Sequence, residues 1–251
     1  MLEKQKLKFA ALLFHYAFPF YRWLYFRFKN KKDQYHLDQI QQLLKPGSVV
    51  LDIGANIGFF AKKLAEYVGP DGHVYCFEPD KINFKHLKNE LRNNDNVTLV
   101  QKAVAEAAGI VTLYTSDLLN VDHRTYEPKS YTGKYTVEKT SIDAFINNRF
   151  SVDFIKMDIQ GFEMNALKGM VKTLDKNLSV VLFIELWPYG LQQAGSSAVE
   201  VYDFFAQRNF NMYKIKEHQL IQMSRNETLN LEVDYFSDTN LLVTRKNLNE
   251  A

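Results

Sequence analysis

The chain has 251 residues, and its 31 lysines and arginines against 29 aspartates and glutamates leave a formal charge of +2, too balanced for wholesale nucleic-acid binding. With 46% hydrophobic residues, 14% aromatic residues and one cysteine, it can bury a large core and lacks the composition of a disordered chain, a disulfide scaffold or a cysteine-rich metal site. One large α/β domain over residues 45–251 is expected, preceded by an aromatic, basic helical extension over residues 1–44.

In residues 1–32, Lys4, Lys6, Lys8, Arg22, Arg27, Lys29, Lys31 and Lys32 accompany ten aromatic residues from Phe9 to Phe28, against one acid, Glu3. The apolar run from Phe9 to Tyr21 falls short of the roughly 20 residues that a membrane span needs. Helices packed as a lid on the domain, or on a second subunit in a homodimer, are the favoured reading, because aromatic stripes at helical spacing mean core. An interfacial segment touching anionic lipid is the less favoured one. Pro19 is expected to break the helix. Tyr35 to Leu44 reads as a further helix, and Lys45-Pro46-Gly47 as the turn into the first strand.

That strand, Val49-Val50-Leu51, ends in Asp52 and runs into Gly54-Ala55-Asn56-Ile57-Gly58. Ile57, Phe60, Ala61, Leu64 and Val68 then keep helical spacing, so the glycines sit at a helix N-terminus where backbone can approach a ligand. A dinucleotide fingerprint needs glycine where Asn56 stands, and Asp52 would repel a pyrophosphate but attract an ammonium or sulfonium group. The second strand, Val74 to Phe77, closes with Glu78-Pro79-Asp80, placing Glu78 about twenty residues past the turn, where a carboxylate grips ribose hydroxyls. These features point to S-adenosylmethionine rather than NAD.

Asp80 is the expected N-cap of a helix with Phe84, Leu87 and Leu91 buried. Val97 to Val104 reads as the third strand, with Ala103 near its end beside the adenine. Ile110 to Thr115 and Lys134 to Thr140 alternate like paired strands, and the long connection between them carries Asp122, His123, Arg124 and Tyr126. His123 is a candidate base for deprotonating a hydroxyl, with Asp122 and Arg124 at the acceptor. Val152 to Met157 is a buried strand delivering Asp158 to the edge shared with Gly54 and Glu78. One helix is expected over Ala166, Leu167, Met170, Val171 and Leu174. Val180 to Ile184 ends at Glu185, with Trp187 beyond it as a pocket wall. Ser197 and Glu200 match a capping box, and Phe210 to Ile215 pairs antiparallel with Leu241 to Arg245. Asn96-Val97-Thr98 and Asn226-Glu227-Thr228 match glycosylation acceptors, but no secretory signal opens the chain, so both are read as chance and a cytoplasmic location is expected.

Leu51-Asp52-Ile53-Gly54-Ala55-Asn56-Ile57-Gly58, Phe77-Glu78-Pro79-Asp80 and Val152 to Glu163 together resemble the FkbM family of S-adenosylmethionine-dependent methyltransferases. The resemblance covers roughly residues 35 to 245 and departs from the family's D-V-E-G run at Gln160. It implies a Rossmann-like class I methyltransferase fold: a seven-stranded, mostly parallel sheet with helices on both faces and an antiparallel last strand. The expected cofactor contacts are Asp52, Gly54, Asn56, Gly58, Glu78, Pro79, Ala103 and Asp158. Asp158 and His123 are the expected catalytic residues, and Asp122, Arg124, Glu185 and Trp187 the acceptor contacts. The expected reaction is O-methylation of a small molecule or glycan, and no nucleic-acid partner is expected. Asp158 and Glu185 lack the spaced third ligand of a metal site. The alternative is a non-catalytic binding module acting through its N-terminal extension.

Overall fold

The computed structural model describes residues 2–116, 123–216, 219–235 and 237–248. Three helices come first, α1 (Leu2–Tyr16), α2 (Phe18–Lys32) and α3 (Gln34–Leu43). Pro19 sits in the first turn of α2, where a missing amide costs nothing, and the break between the two helices falls at Ala17. Then follow β1 (Val49–Ile53), α4 (Phe59–Val68), β2 (His73–Phe77), α5 (Lys81–Glu90), β3 (Val97–Val100), β4 (Ala103–Val104), β5 (Gly109–Thr115), β6 (Gly133–Thr140), α6 (Ile142–Ile146), β7 (Phe154–Met157), α7 (Glu163–Lys168) and α8 (Val171–Lys176). The chain ends with β8 (Val181–Leu186), α9 (Pro188–Gln193), α10 (Ala198–Ala206), β9 (Asn211–Lys216), β10 (Gln219–Gln222), α11 (Arg225–Leu229) and β11 (Thr239–Thr244).

The main sheet runs β10-β9-β11-β8-β7-β1-β2-β3. From β8 to β3 all neighbours are parallel, and β11 enters antiparallel between β8 and β9. It has eight strands rather than the expected seven. The addition, Gln219–Gln222, folds back on β9; its polar ends break the apolar alternation by which a strand is recognised. Alternation along β1 sends Leu51 and Ile53 into a core under α6, α7, α8 and α10, while Val50 joins α3, α4 and α5 on the other face. The sole cysteine, Cys76, lies fully buried on that second face.

Two expected elements are split. The third strand stops at Val100, and Ala103–Val104 pairs with β6 in a separate three-stranded sheet. Lys102 between them turns outward to Glu138, 2.8 Å away. The helix expected through Ala166 and Leu174 breaks at Gly169, which lies against Ala105: a Cβ there would come within 2.1 Å of the Ala105 carbonyl oxygen. Asp143 then caps α8 by accepting the Lys172 and Thr173 amides at 3.0 and 2.8 Å. Asp80 caps α5, and Ser197 with Glu200 forms the expected capping box. Asn96, within an apparent glycosylation motif, donates its amide to the Ala65 and Gly69 carbonyls that end α4.

Candidate active site

Because β1 leads to β2 on one side and β7 leads to β8 on the other, the connections leave the carboxyl ends of the adjacent strands β1 and β7 in opposite directions and open a crevice there. The α1–α2 hairpin roofs this crevice, enclosing a cavity of about 500 Å3. The hairpin is held by Phe14 and Tyr21, which pack with Ile57 of the glycine turn, by Phe26 edge-on to Phe59, and by Arg22, whose Nη2 donates to Glu90 at 2.6 Å.

Gly54 and Ala55 both donate their amides to the Phe77 carbonyl (3.0 and 2.9 Å), tying the turn to the end of β2. Gly54 has φ +83°, and a Cβ on it would lie 2.0 Å from the Asp158 carbonyl oxygen, so only glycine lets β1 and β7 approach here. Asn56 adopts the left-handed region at φ +51°, its side chain accepting the Ile57 amide at 2.7 Å. Gly58 is the N-terminal cap of α4 and faces Leu87 and Glu90 rather than the cavity.

Glu78 is buried at the end of β2, accepting the Asn56 amide on Oε2 (2.8 Å) and the Asp80 amide on Oε1 (2.9 Å). Burial pushes its pKa up to about 8, against the pull of those amides. Each oxygen keeps a second lone pair for a ligand hydroxyl.

Asp52 is fully buried, and neither of its oxygens accepts a hydrogen bond from the described residues. Its partner is Lys156, directly opposite on β7, whose Nζ lies 3.4 Å from Asp52 and 3.9 Å from Asp158 and donates to the Gly54 carbonyl at 3.1 Å. Burial raises the Asp52 pKa, with Lys156 opposing. For Lys156 burial works against the charge, but the two carboxylates outweigh it and keep the ammonium ionised. The expected direct contact of Asp52 with a cationic ligand is therefore corrected: a lysine that sequence reading overlooked already occupies that place, and Asp52 lies beneath the cavity.

Asp158 opens into the cavity beside Glu185. Burial opposes its ionisation, yet the Lys156 ammonium and the Gln160 amide hold it below the usual carboxylate range. Glu185 goes the other way, pushed well up by burial and by the Asp158 charge. The two carboxyls are thus driven in opposite directions, Asp158 toward the ionised form and Glu185 toward the protonated one. Gln160, at φ +56°, donates through Nε2 to Asp158 Oδ1 and Glu185 Oε2, both at 2.9 Å. The Tyr126 hydroxyl anchors its carbonyl at 2.9 Å, and Glu163 accepts the Ile159 and Gly161 amides of the same turn at 3.1 and 3.2 Å.

A family model described as the methyltransferase FkbM domain matches residues 52–212, more than half of the chain. The chain belongs to the FkbM methyltransferase family. It is 26% identical over 158 residues to the 2-O-methyltransferase NoeI of Sinorhizobium fredii, a match covering 56% of this chain and 65% of NoeI. It is 40% identical over 68 residues to the 31-O-demethyl-FK506 methyltransferase FkbM of Streptomyces tacrolimicus, covering 27% of this chain and 26% of that protein. It thus spans less than two thirds of these relatives. Among solved structures, a putative rRNA methylase from Clostridium thermocellum shares the fold, with TM-score 0.50 and 12% identity over 83% of this chain and 92% of its own.

In this FkbM-family protein the cavity fits S-adenosylmethionine. Phe77, Pro79, Ala103, Val104 and Leu113 make an apolar slot for a planar base next to Glu78, where ribose hydroxyls would bind. Gly54, Ala55 and Asn56 bring the turn to the cavity wall, and the Asp158 carboxylate attracts a cationic donor.

The acceptor side departs from expectation. Arg124 and Trp187 are buried away from the cavity, the guanidinium 4.9 Å over the indole ring and 5.7 Å from that of Tyr235. The attraction of the guanidinium to these ring faces offsets part of the cost of burying it, and neither side chain lines the cavity. His123 lines the cavity, but its Nδ1 accepts the Ser116 amide at 3.3 Å and its Nε2 lies 3.6 Å from Asp80 Oδ2. With Nδ1 accepting an amide, the ring presents Nε2 toward the Asp80 carboxylate. Asp122 lies outside the described residues. Lys156, Gln160, Thr125 and the hairpin residues Tyr25 and Lys29 line the cavity without having been anticipated as site residues.

Proposed function

We propose that this protein is an S-adenosylmethionine-dependent O-methyltransferase acting on a hydroxyl of a small molecule or glycan, with residues 45–251 as the catalytic domain and residues 1–44 as its cover. The observation that carries this reading is the convergence of the Gly54 turn, Glu78 and the Asp158–Glu185 pair on one roofed cavity at the ends of neighbouring parallel strands. Two relatives named as O-methyltransferases support the reaction class.

When bound, S-adenosylmethionine supplies a methyl group on a sulfonium centre. The protein's part is to hold an acceptor oxygen in line with it and exclude water. Glu78 takes the ribose hydroxyls, and the Gly54 turn holds the amino-acid portion. Asp158, which lines the cavity with Gln160 on its Oδ1 and Lys156 on the side of its Oδ2, orients the acceptor hydroxyl and takes its proton. Glu185 stays protonated beside it. Lys156 holds the negative charge from below. His123, tied to Ser116 and Asp80, shapes the cavity wall.

Glu78→Ala tests the cofactor placement. Calorimetric affinity for S-adenosylmethionine is expected to fall about tenfold, one or two lost hydrogen bonds being worth that much. Unchanged affinity overturns the assignment of Glu78 to the cofactor.

A further inference from the structure

The hairpin that roofs the cavity is itself only half covered. Phe9, Leu12 and Tyr16 are exposed on α1 at i, i+3, i+7 spacing, which puts them on one face. On α2 the exposed large apolar side chains are Phe20, Trp23, Leu24 and Phe28, again on one face, with Trp23 at 51% and Phe28 at 62% exposure. The two faces adjoin, because Phe9, Leu24 and Phe28 also line the cavity. Large rings standing in water over two successive helices mark an interaction surface rather than scatter.

Charge says what covers it. Lys8, Arg27, Lys31 and Lys32 lie on the same two helices, Arg27 stacking over the Trp23 ring at 5.7 Å, and residues 8–32 contain no aspartate or glutamate. A second copy docked symmetrically would bring this patch against itself, cation against cation with no acid to answer. Anionic headgroups answer it directly, with aromatic rings at the polar–apolar boundary and lysine and arginine above. Among the described residues no helix is long and apolar enough to cross a membrane, so the contact is interfacial.

We propose that the outer face of the α1–α2 hairpin seats this protein on the surface of an anionic bilayer, with the mouth of the cavity opening onto the lipid. Phe9, Leu24 and Phe28 belong to both the face and the cavity, so the path into the site passes through the docked surface.

The test is flotation of the full-length protein with vesicles of phosphatidylcholine alone and of an equal mixture with phosphatidylglycerol. Recovery with the anionic vesicles is expected to exceed that with the zwitterionic ones at least about tenfold and to fall with salt. The combined variant Leu12→Ser, Tyr16→Ser, Phe20→Ser, Trp23→Ser, which touches no cavity residue, should lose flotation while keeping calorimetric affinity for S-adenosylmethionine. Arg27→Glu with Lys31→Glu should also lose flotation, and decides the matter if the first variant fails to fold. Trp23 emission should move to the blue on vesicles, a shift absent from Trp23→Phe. Absence of flotation on either vesicle, flotation indifferent to both variants, or a lipid-free dimer that shields Trp23 from quencher overturns the proposal. Vesicle binding does not depend on methyl transfer, so this test and that of Glu78 fail separately.

Discussion

Beneath the cavity, Asp52, Lys156 and Asp158 form a chain of charges spaced 3.4 and 3.9 Å apart, two of them buried in the sheet; above it, the hairpin presents stacked aromatic rings and an ion pair, Arg22 with Glu90, that is partly open to water. The floor is held by interactions that are costly to break singly, because each charge is balanced only by its neighbours. The roof is held by apolar contact, which tolerates movement and exchange. A floor of that kind keeps one geometry, while a roof of the other kind can open.

Lys156→Met attacks the floor where it is least replaceable. It leaves Asp52 and Asp158 without their cation, and a loss of roughly 3–5 kcal/mol is expected in urea unfolding. A loss below about 1 kcal/mol would mean that the floor does not rest on this lysine and that the contrast with the roof is false.

Glu78 gives an intermediate effect with a definite direction. Its folded pKa of about 8 lies above the 4.5 of the ordinary carboxyl, so between these values the native state holds more protons than the unfolded one. Stability of the ligand-free protein should then fall as pH rises through that window, by up to ~1.4 kcal/mol per pH unit. In Glu78→Gln this contribution disappears. Denaturation at several pH values reads the difference, and parallel curves for the two proteins would refute the buried-acid assignment.

Arg22→Ala tests the roof and should do least. The guanidinium is about a third exposed, so the stability change is expected to stay below ~1 kcal/mol. Affinity for S-adenosylmethionine, measured by calorimetry, should drop by less than about tenfold. A collapse in stability comparable to that of Lys156→Met would show that the hairpin is part of the core.

The sheet was legible because β1, β2, β7 and β8 each combine a short apolar run with a terminal acid, and the Gly54 turn breaks the period in a way few connections do. Lys156 was visible in the sequence as a lysine inside an apolar strand, but its meaning depends on register: only when Leu51 aligns with Ile155 does Lys156 stand opposite Asp52. Arg124 and Trp187 looked like pocket residues because their burial requires Tyr235, which comes 48 positions after Trp187 and whose backbone carbonyl accepts the Trp187 indole N–H at 3.1 Å. The stop at Gly169 was hidden for a similar reason, since the close approach to Ala105 belongs to tertiary structure. The lid of residues 1–32 was expected; that its outer face stays uncovered is a matter of packing that no helical period reveals.

Cys76 sits in the middle of the floor, directly opposite Asp52 on one side and Leu99 on the other. As the chain's one thiol, sealed from solvent, it turns the protein into its own gauge of sheet opening. A thiol reagent can reach it only when the helices covering that face lift from the sheet or the strands part, so labelling kinetics read opening of this layer rather than movement of the hairpin, whose buried residues pack in a separate cluster.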